Sequence, residues 1–327
     1  MFDLNKKLAR GWSRMGPRAV YGQILYELAK TNPNIMALSA DLGRSSGLDR
    51  FSKDFPDQFL NVGIAEQNLI GISSGLARME FDVFASTFAP FASLRAGEQV
   101  RMNMGYMQEP VRLVGLASGF ALGFLGNSHY GIEDVAVLRS IPGITIVSPA
   151  DCFELYKCIV ASLDYPGPMY IRLTGGVNMP VVYDADYEFD ILKADVLSDI
   201  SDITVVSAGA TLGFAKVALK ELADEGSQVG LVNVHTIKPI DKEFISKLEG
   251  KCTKVVVFEE HTIIGGLGAA IIDALHEADI STVQVIRCGV NDMYPKAGDY
   301  NYVLASLGLD SDGIKKKIAE IIRLTTY

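Results

Sequence analysis

Glu66 is the lone acid in an apolar, glycine-punctuated run from Asn61 to Gly75, within the stretch Gly63-Ile64-Ala65-Glu66-Gln67-Asn68. Thr87-Phe88-Ala89-Pro90-Phe91 follows downstream. A carboxyl group in apolar surroundings has a raised pKa and can hold or share a proton near neutral pH. Two phenylalanines at this spacing can wall a flat heterocycle. Together they suit an acid working on one edge of a stacked aromatic ring. Each also has a plainer explanation. A helix dipole favours an acid in its first turn, and phenylalanine pairs are most often core. The rest of the chain has to decide.

The elements that would position these residues alternate between short β-rich runs and amphipathic helical stretches. A helix is predicted over 19–30, stopped by Asn32-Pro33, then strands over 35–39 and 59–62 and a helix from Glu66 to Arg78. A strand over 83–85, a helix over 93–104, a strand over 111–117, a helix over 132–140 and a strand over 145–147 continue the pattern. Asp151 with Glu154 spells a capping box that starts a helix through Ala161. A strand over 169–173 closes the block. Such alternation predicts a mostly parallel sheet covered on both faces. The helical period then disappears amid Gly175-Gly176 and Pro180, which marks a linker. A second alternating block has strands over 203–207, 229–234, 254–258 and 283–288, with helices over 212–224, 241–248, 268–277 and 314–324. The expected fold class is α/β in two domains, residues 1–175 and 201–327, joined by a linker over 176–200. Each domain is expected to be a mostly parallel sheet with helices on both faces.

Composition narrows the function. The 327 residues are 49% hydrophobic with a net charge of −9, enough apolar material for a core in each domain. That charge argues against nucleic-acid or membrane-surface binding, which needs clustered Lys and Arg. Cys152, Cys158, Cys252 and Cys288 form no C-x-x-C pair, so neither zinc nor a disulfide framework is expected. The start, Met1 to Lys7, lacks an apolar core, and the apolar stretch from Leu113 to Gly126 is too short for a membrane span. A soluble, cytoplasmic protein is predicted. Gly265-Gly266-Leu267-Gly268 lacks G-x-G-x-x-G spacing and reads as a tight turn into a helix.

Several motifs in order carry a resemblance to the transketolase family. In the first block they are Leu38-Ser39-Ala40-Asp41-Leu42, Gly63 to Asn68, Thr87-Phe88 with Phe91, Ser128-His129-Tyr130-Gly131-Ile132-Glu133-Asp134, Ser148-Pro149-Ala150-Asp151 and Ile171-Arg172-Leu173. In the second they are Lys238-Pro239-Ile240-Asp241 and Glu259-Glu260-His261 with Gly265 to Gly268. The first block resembles the pyrimidine-binding domain and the second the C-terminal domain, which implies a thiamine-diphosphate-binding fold. Single-chain members begin with a further domain whose Gly-Asp-Gly and downstream Asn hold a metal and the cofactor's diphosphate. No Gly-Asp-Gly occurs here. The resemblance therefore implies the C-terminal subunit of a split transketolase. A separate N-terminal subunit would hold Mg²⁺ or Ca²⁺, and the chains would assemble as a heterotetramer in which this subunit also self-associates.

The resemblance assigns roles residue by residue. Glu66 matches the glutamate that bonds the aminopyrimidine's ring nitrogen, and Phe88 and Phe91 match aromatics packed on that ring. A third aromatic position is Leu94 here. Asp41 matches a position near the cofactor, or simply caps the preceding strand. His129 matches a histidine that contacts the donor sugar. Arg18, Ser45 and Arg172 match positions that hold a sugar phosphate, for which arginine's bidentate fork is suited. His261, His235 and His276 read as structural.

The departures bear on substrate. A histidine usual in phosphate-binding members falls at Ala117, and an aspartate usual in the donor loop falls at Leu125. The Gly119–Gly126 loop is apolar, with Phe120, Leu122 and Phe124. The expectation is ketol transfer on a modified, less polar or unphosphorylated sugar. Rival readings are a deoxyxylulose-phosphate-synthase-like acyloin synthase, a 2-oxoacid dehydrogenase β subunit, and a regulatory subunit without catalysis. The last is disfavoured because the fold alone does not require a buried acid.

Overall fold

The computed structural model describes residues 2–325. Helices α1 (Lys6–Met15) and α2 (Pro17–Ala29) precede β1 (Ile35–Ser39). Then come α3 (Asp49–Asp54), β2 (Phe59–Asn61), α4 (Glu66–Arg78) and β3 (Asp82–Phe88). From Phe91 to Tyr106 the chain coils in wide π-type turns around a short α5 (Gly97–Gln99). The first block ends with β4 (Arg112–Leu116), α6 (Asp134–Arg139), β5 (Thr145–Val147), α7 (Cys152–Leu163) and β6 (Met169–Arg172). The second contains β7 (Asp195–Ser198), β8 (Ile203–Ser207), α8 (Thr211–Asp224), β9 (Gly230–Asn233), β10 (Thr236–Lys238) and α9 (Lys242–Leu248). It closes with β11 (Lys254–Thr262), α10 (Leu267–Glu277), β12 (Gln284–Val290), α11 (Tyr300–Leu307) and α12 (Ser311–Thr325).

Two sheets result, ordered β10-β5-β6-β4-β3-β1-β2 and β12-β11-β8-β9-β7. Both are parallel except at one edge each, where β10 and β7 run antiparallel. Every residue of β4, β5 and β6 is buried. Strands covered by helices on both faces need largely apolar runs, which here only Arg112, Thr145 and Arg172 interrupt. Trp12, Tyr21, Ile24 and Phe153 share one apolar layer with Leu212 and Ile314. Leu69, Ile70, Val100 and Met104 share the other with Phe244 and Ile271. Each layer runs through both blocks, so the two sheets are joined by a common interior.

The sequence reading of the sheets and their helices matches this α/β architecture, with local differences. Residues 176–200, expected as a linker, contain β7, which finishes the second sheet by pairing with β9. The three-residue β10 leaves its own block and extends the first sheet beside β5. Asp151 caps α7 by accepting from the amides of Phe153 and Glu154. Glu154 does not complete the capping box. Its carboxylate instead accepts from Ala150 N at 2.6 Å and from Asn233 Nδ2 of β9 at 2.7 Å, joining the blocks.

Burial pushes the Glu154 carboxyl up to about 8, against its two accepted hydrogen bonds. Burial also raises Glu259 to about 7. The folded chain keeps these protons where the unfolded chain, ionising near the ordinary carboxyl value, has lost them. Stability therefore falls as pH rises towards each folded value. His235 and His261, both lowered to about 4 by burial, act oppositely but only below their ordinary value of 6.5. Thermal midpoints are expected to drop between pH 7 and 8, and Glu154→Gln should flatten that drop. An unchanged slope in the variant would show that Glu154 does not titrate there.

Candidate active site

The first sheet reverses direction at β1. The chain leaves β1 outward to β2, then crosses back to β3 on its other side. In open α/β sheets such a switch point leaves a crevice at the carboxyl ends of the strands. The residues singled out by the sequence come from that edge: Asp41 and Ser45 after β1, Glu66 after β2, Phe88 and Phe91 at and after β3, and His129 after β4.

Glu66 opens α4, a helix started by Ala65 with no side-chain cap. The carboxylate thus sits at the positive end of the helix dipole. Its side chain is 4% exposed, and Oε1 accepts from Arg95 Nη1 at 2.7 Å. The apolar surroundings expected from sequence therefore include a cation. The Arg95 guanidinium also lies over the Phe91 ring, 3.8 Å from its centroid. Phe91 and Phe88 meet edge-on at 6.0 Å, and both touch the His129 ring, at 5.5 and 5.8 Å. Glu66, Phe88, Phe91 and His129 thus form one contiguous cluster, with Arg95 inside it.

The loop carrying His129 is held from the second block. Gly119 and Gly131 form a two-bond antiparallel bridge across the loop's base. Glu260 Oε2 accepts from Phe120 N at 3.0 Å. Gly119 has φ +64°, and a Cβ there would lie 2.1 Å from Glu260 Oε2, so a side chain here is strained and displaces that carboxylate. Ser128 Oγ lies 2.9 Å from His129 Nδ1, which orients the ring. Phe124 and Leu125 on the same loop are exposed.

A second feature of this edge is a cavity of about 340 Å³ lined by Arg18, Arg44, Ser45 and Gly175-Gly176. Arg18 stands in the first turn of α2 and donates to Ser45 O at 3.3 Å. Gly47, at φ +78°, lets the loop after β1 lie against α2, because a Cβ there would be 2.5 Å from Arg18 O. Arg44, not identified from sequence, adds a second guanidinium to this wall. Two cations beside a helix N-terminus suit an anion. Asp41 is exposed, at φ +58°, and exchanges hydrogen bonds with Asn61. Asn61 Oδ1 also accepts from Gly63 N, so this pair fixes the turn that leads to Glu66.

Arg172 does not join Arg18 and Ser45. It is 3% exposed. Its Nε donates to Asp134 Oδ2 at 2.8 Å, and its Nη2 to Gly131 O at 2.8 Å and Glu260 O at 2.7 Å. Tyr170 OH bonds the same Asp134 oxygen at 2.8 Å. These contacts place Arg172 in a buried joint between the blocks. His261 borders it, kept neutral by burial, with Nε2 accepting from Ala136 N at 3.3 Å and Nδ1 donating to Thr262 O at 2.6 Å.

The cluster fits the aminopyrimidine end of thiamine diphosphate. It offers a carboxylate for a ring nitrogen and aromatic faces for stacking. Among the described residues no group of three or more His, Cys, Asp or Glu could hold a metal ion. No helix among them is long and apolar enough to cross a membrane.

Comparison with known proteins finds a match for each block. Residues 14–177 match the family model of the transketolase pyrimidine binding domain, and residues 192–314 that of the transketolase C-terminal domain. One of the chains of the apulose-4-phosphate transketolase of Phocaeicola vulgatus is 37% identical over 307 residues, covering 94% of this chain and 97% of that one. The 6-deoxy-6-sulfo-D-fructose transketolase subunit SqwH of Clostridium sp. strain MSTE9 is 35% identical over 315 residues, covering 96% of each. Among solved structures, a split gene transketolase described as an inactive β4 tetramer superposes with a TM-score of 0.82 at 35% identity, covering 94% of this chain and 97% of that one.

Proposed function

The chain belongs to the transketolase family, and from that premise we propose that it is the C-terminal subunit of a two-chain, thiamine-diphosphate-dependent enzyme. That enzyme transfers a two-carbon ketol unit between modified, anionic sugars. The observation that carries this reading is the contiguity of Glu66, Phe88, Phe91 and His129 at the switch point. In this reading an N-terminal subunit supplies the metal and the diphosphate site.

When bound, the cofactor supplies a nucleophilic carbon that adds to a ketose carbonyl and carries the ketol unit. Glu66 holds or moves the proton at the pyrimidine nitrogen. Phe88 and Phe91 stack on the ring and exclude water from that edge. His129 Nε2 bonds hydroxyl groups of the donor near its carbonyl. Arg18, Arg44 and Ser45 hold a terminal anionic group. Arg172 is left out of this set because its donors are already used in the interior.

Two observations support a modified sugar. The relatives named above act, by their names, on apulose-4-phosphate and 6-deoxy-6-sulfo-D-fructose, each with an anionic group. The donor loop here presents Phe124 and Leu125, and Ala117 stands where phosphate-specific members have a histidine. Coexpression with a subunit carrying Gly-Asp-Gly, followed by a screen of ketose donors, tests the reading. Neither chain alone should turn over. The pair should prefer a sulfo-ketose or apulose-4-phosphate to xylulose 5-phosphate by at least about tenfold in kcat/KM, the scale of one pocket contact. Turnover by this chain alone, or xylulose 5-phosphate as the best donor, would overturn it. Carbon dioxide release from pyruvate would point to the acyloin synthase instead.

A further inference from the structure

We infer that Arg95 plugs the pyrimidine seat of the free subunit and must swing out before the cofactor's ring can enter. This rests on the functional reading above. Arg95 makes two contacts: a 2.7 Å charge-assisted hydrogen bond to Glu66 Oε1, and a stack on the Phe91 ring at 3.8 Å. A flat aminopyrimidine seated here needs the same two surfaces, the carboxylate and an aromatic face. A guanidinium is planar, carries N–H donors at its edge and stacks on aromatics, so it imitates the ring in shape and in hydrogen bonding. While Arg95 holds Oε1 and that face of Phe91, a ring that needs the same oxygen and the same face is excluded.

The plug has reason to form and freedom to leave. Glu66 is 4% exposed, and a buried carboxylate without a partner is costly. Arg95 is 47% exposed, so its side chain reaches solvent without unfolding anything. The wide turns of the 91–106 segment set the geometry. Arg95 follows Phe91 by four residues and falls on the same face, while its backbone carbonyl accepts from Gln67 Nε2 of α4 at 3.3 Å. Helix α4 and the coil after β3 are thus linked at the seat itself.

A closed plug lowers apparent affinity by the fraction of molecules that are open. The test is thiamine diphosphate binding, with Mg²⁺, to the chain assembled with its N-terminal subunit, read by calorimetry for Kd and stopped flow for capture rate. If nine-tenths of sites are plugged, Arg95→Ala should bind about tenfold more tightly and capture the cofactor faster. Arg95→Lys, which keeps the charge but loses the planar stack, should fall between. Weaker or unchanged binding by Arg95→Ala would overturn the plug, since an arginine that supports the bound ring gives the first result and a bystander the second. If the wild-type assembly takes up no thiamine diphosphate, the functional reading falls and the plug with it. If the wild type binds and Arg95→Ala binds no more tightly, only the plug falls.

Discussion

Replacing Glu66 with glutamine is expected to lower turnover of the assembled enzyme by about 10²–10⁴-fold, the usual contribution of a positioned acid or base, while the chain folds and assembles normally. The two halves of this expectation have separate causes. Structurally, glutamine keeps the shape of glutamate, and its amide oxygen can still accept from Arg95 Nη1 as the Glu66 carboxylate does. Chemically, an amide neither gives nor takes a proton near neutral pH, so the nitrogen edge of the ring loses its acid. Glu66→Asp is the instructive control. It keeps the acid but withdraws it by one methylene, and it should retain more activity than the glutamine variant. Circular dichroism melts and cofactor binding would show that the seat survives. Near-native turnover of Glu66→Gln would remove Glu66 from the chemistry and the functional reading with it.

What the sequence discloses about this molecule depends on depth. The helix over Glu66–Arg78 is read with its true bounds, because an acid at its start and an arginine at its end mark the termini and the apolar residues between keep the helical period. The parallel sheets are legible for a similar reason, since strands buried on both faces need largely apolar runs. The short β10 is not. Its residues, Thr236, Ile237 and Lys238, carry no strand period of their own, and their place is set by the edge of a sheet built elsewhere. Arg95 escapes notice because nothing local says that an exposed arginine bends back over a phenylalanine onto an acid from another helix. Arg44 is hidden for the same reason, being only one more charge in a loop until Gly47 brings that loop onto α2. Arg172 differs in kind, its donors being spent in the interior. A motif announces the residue type but not whether the side chain faces the crevice or the interior.

That distinction sets up the second large effect. Arg172→Met is expected to destabilise the folded chain by about 3–5 kcal/mol, the cost of stranding one member of a buried ion pair. Asp134 is fully buried, and its Oδ2 accepts from both Arg172 Nε and Tyr170 OH. With the guanidinium gone, the carboxylate must take up a proton or remain charged in the interior, and the carbonyls of Gly131 and Glu260 lose their donor. Those carbonyls belong to the segment that carries His129 and to the second block, so the loss falls on the joint between them. Removing both charges should cost less than removing one, so Asp134→Asn with Arg172→Met should melt above Arg172→Met alone. Chemical denaturation of the single and double variants checks this ordering. A phosphate ligand would behave differently. Its loss would raise KM for an anionic sugar and leave the melting midpoint where it was, because nothing in the interior would have been stranded.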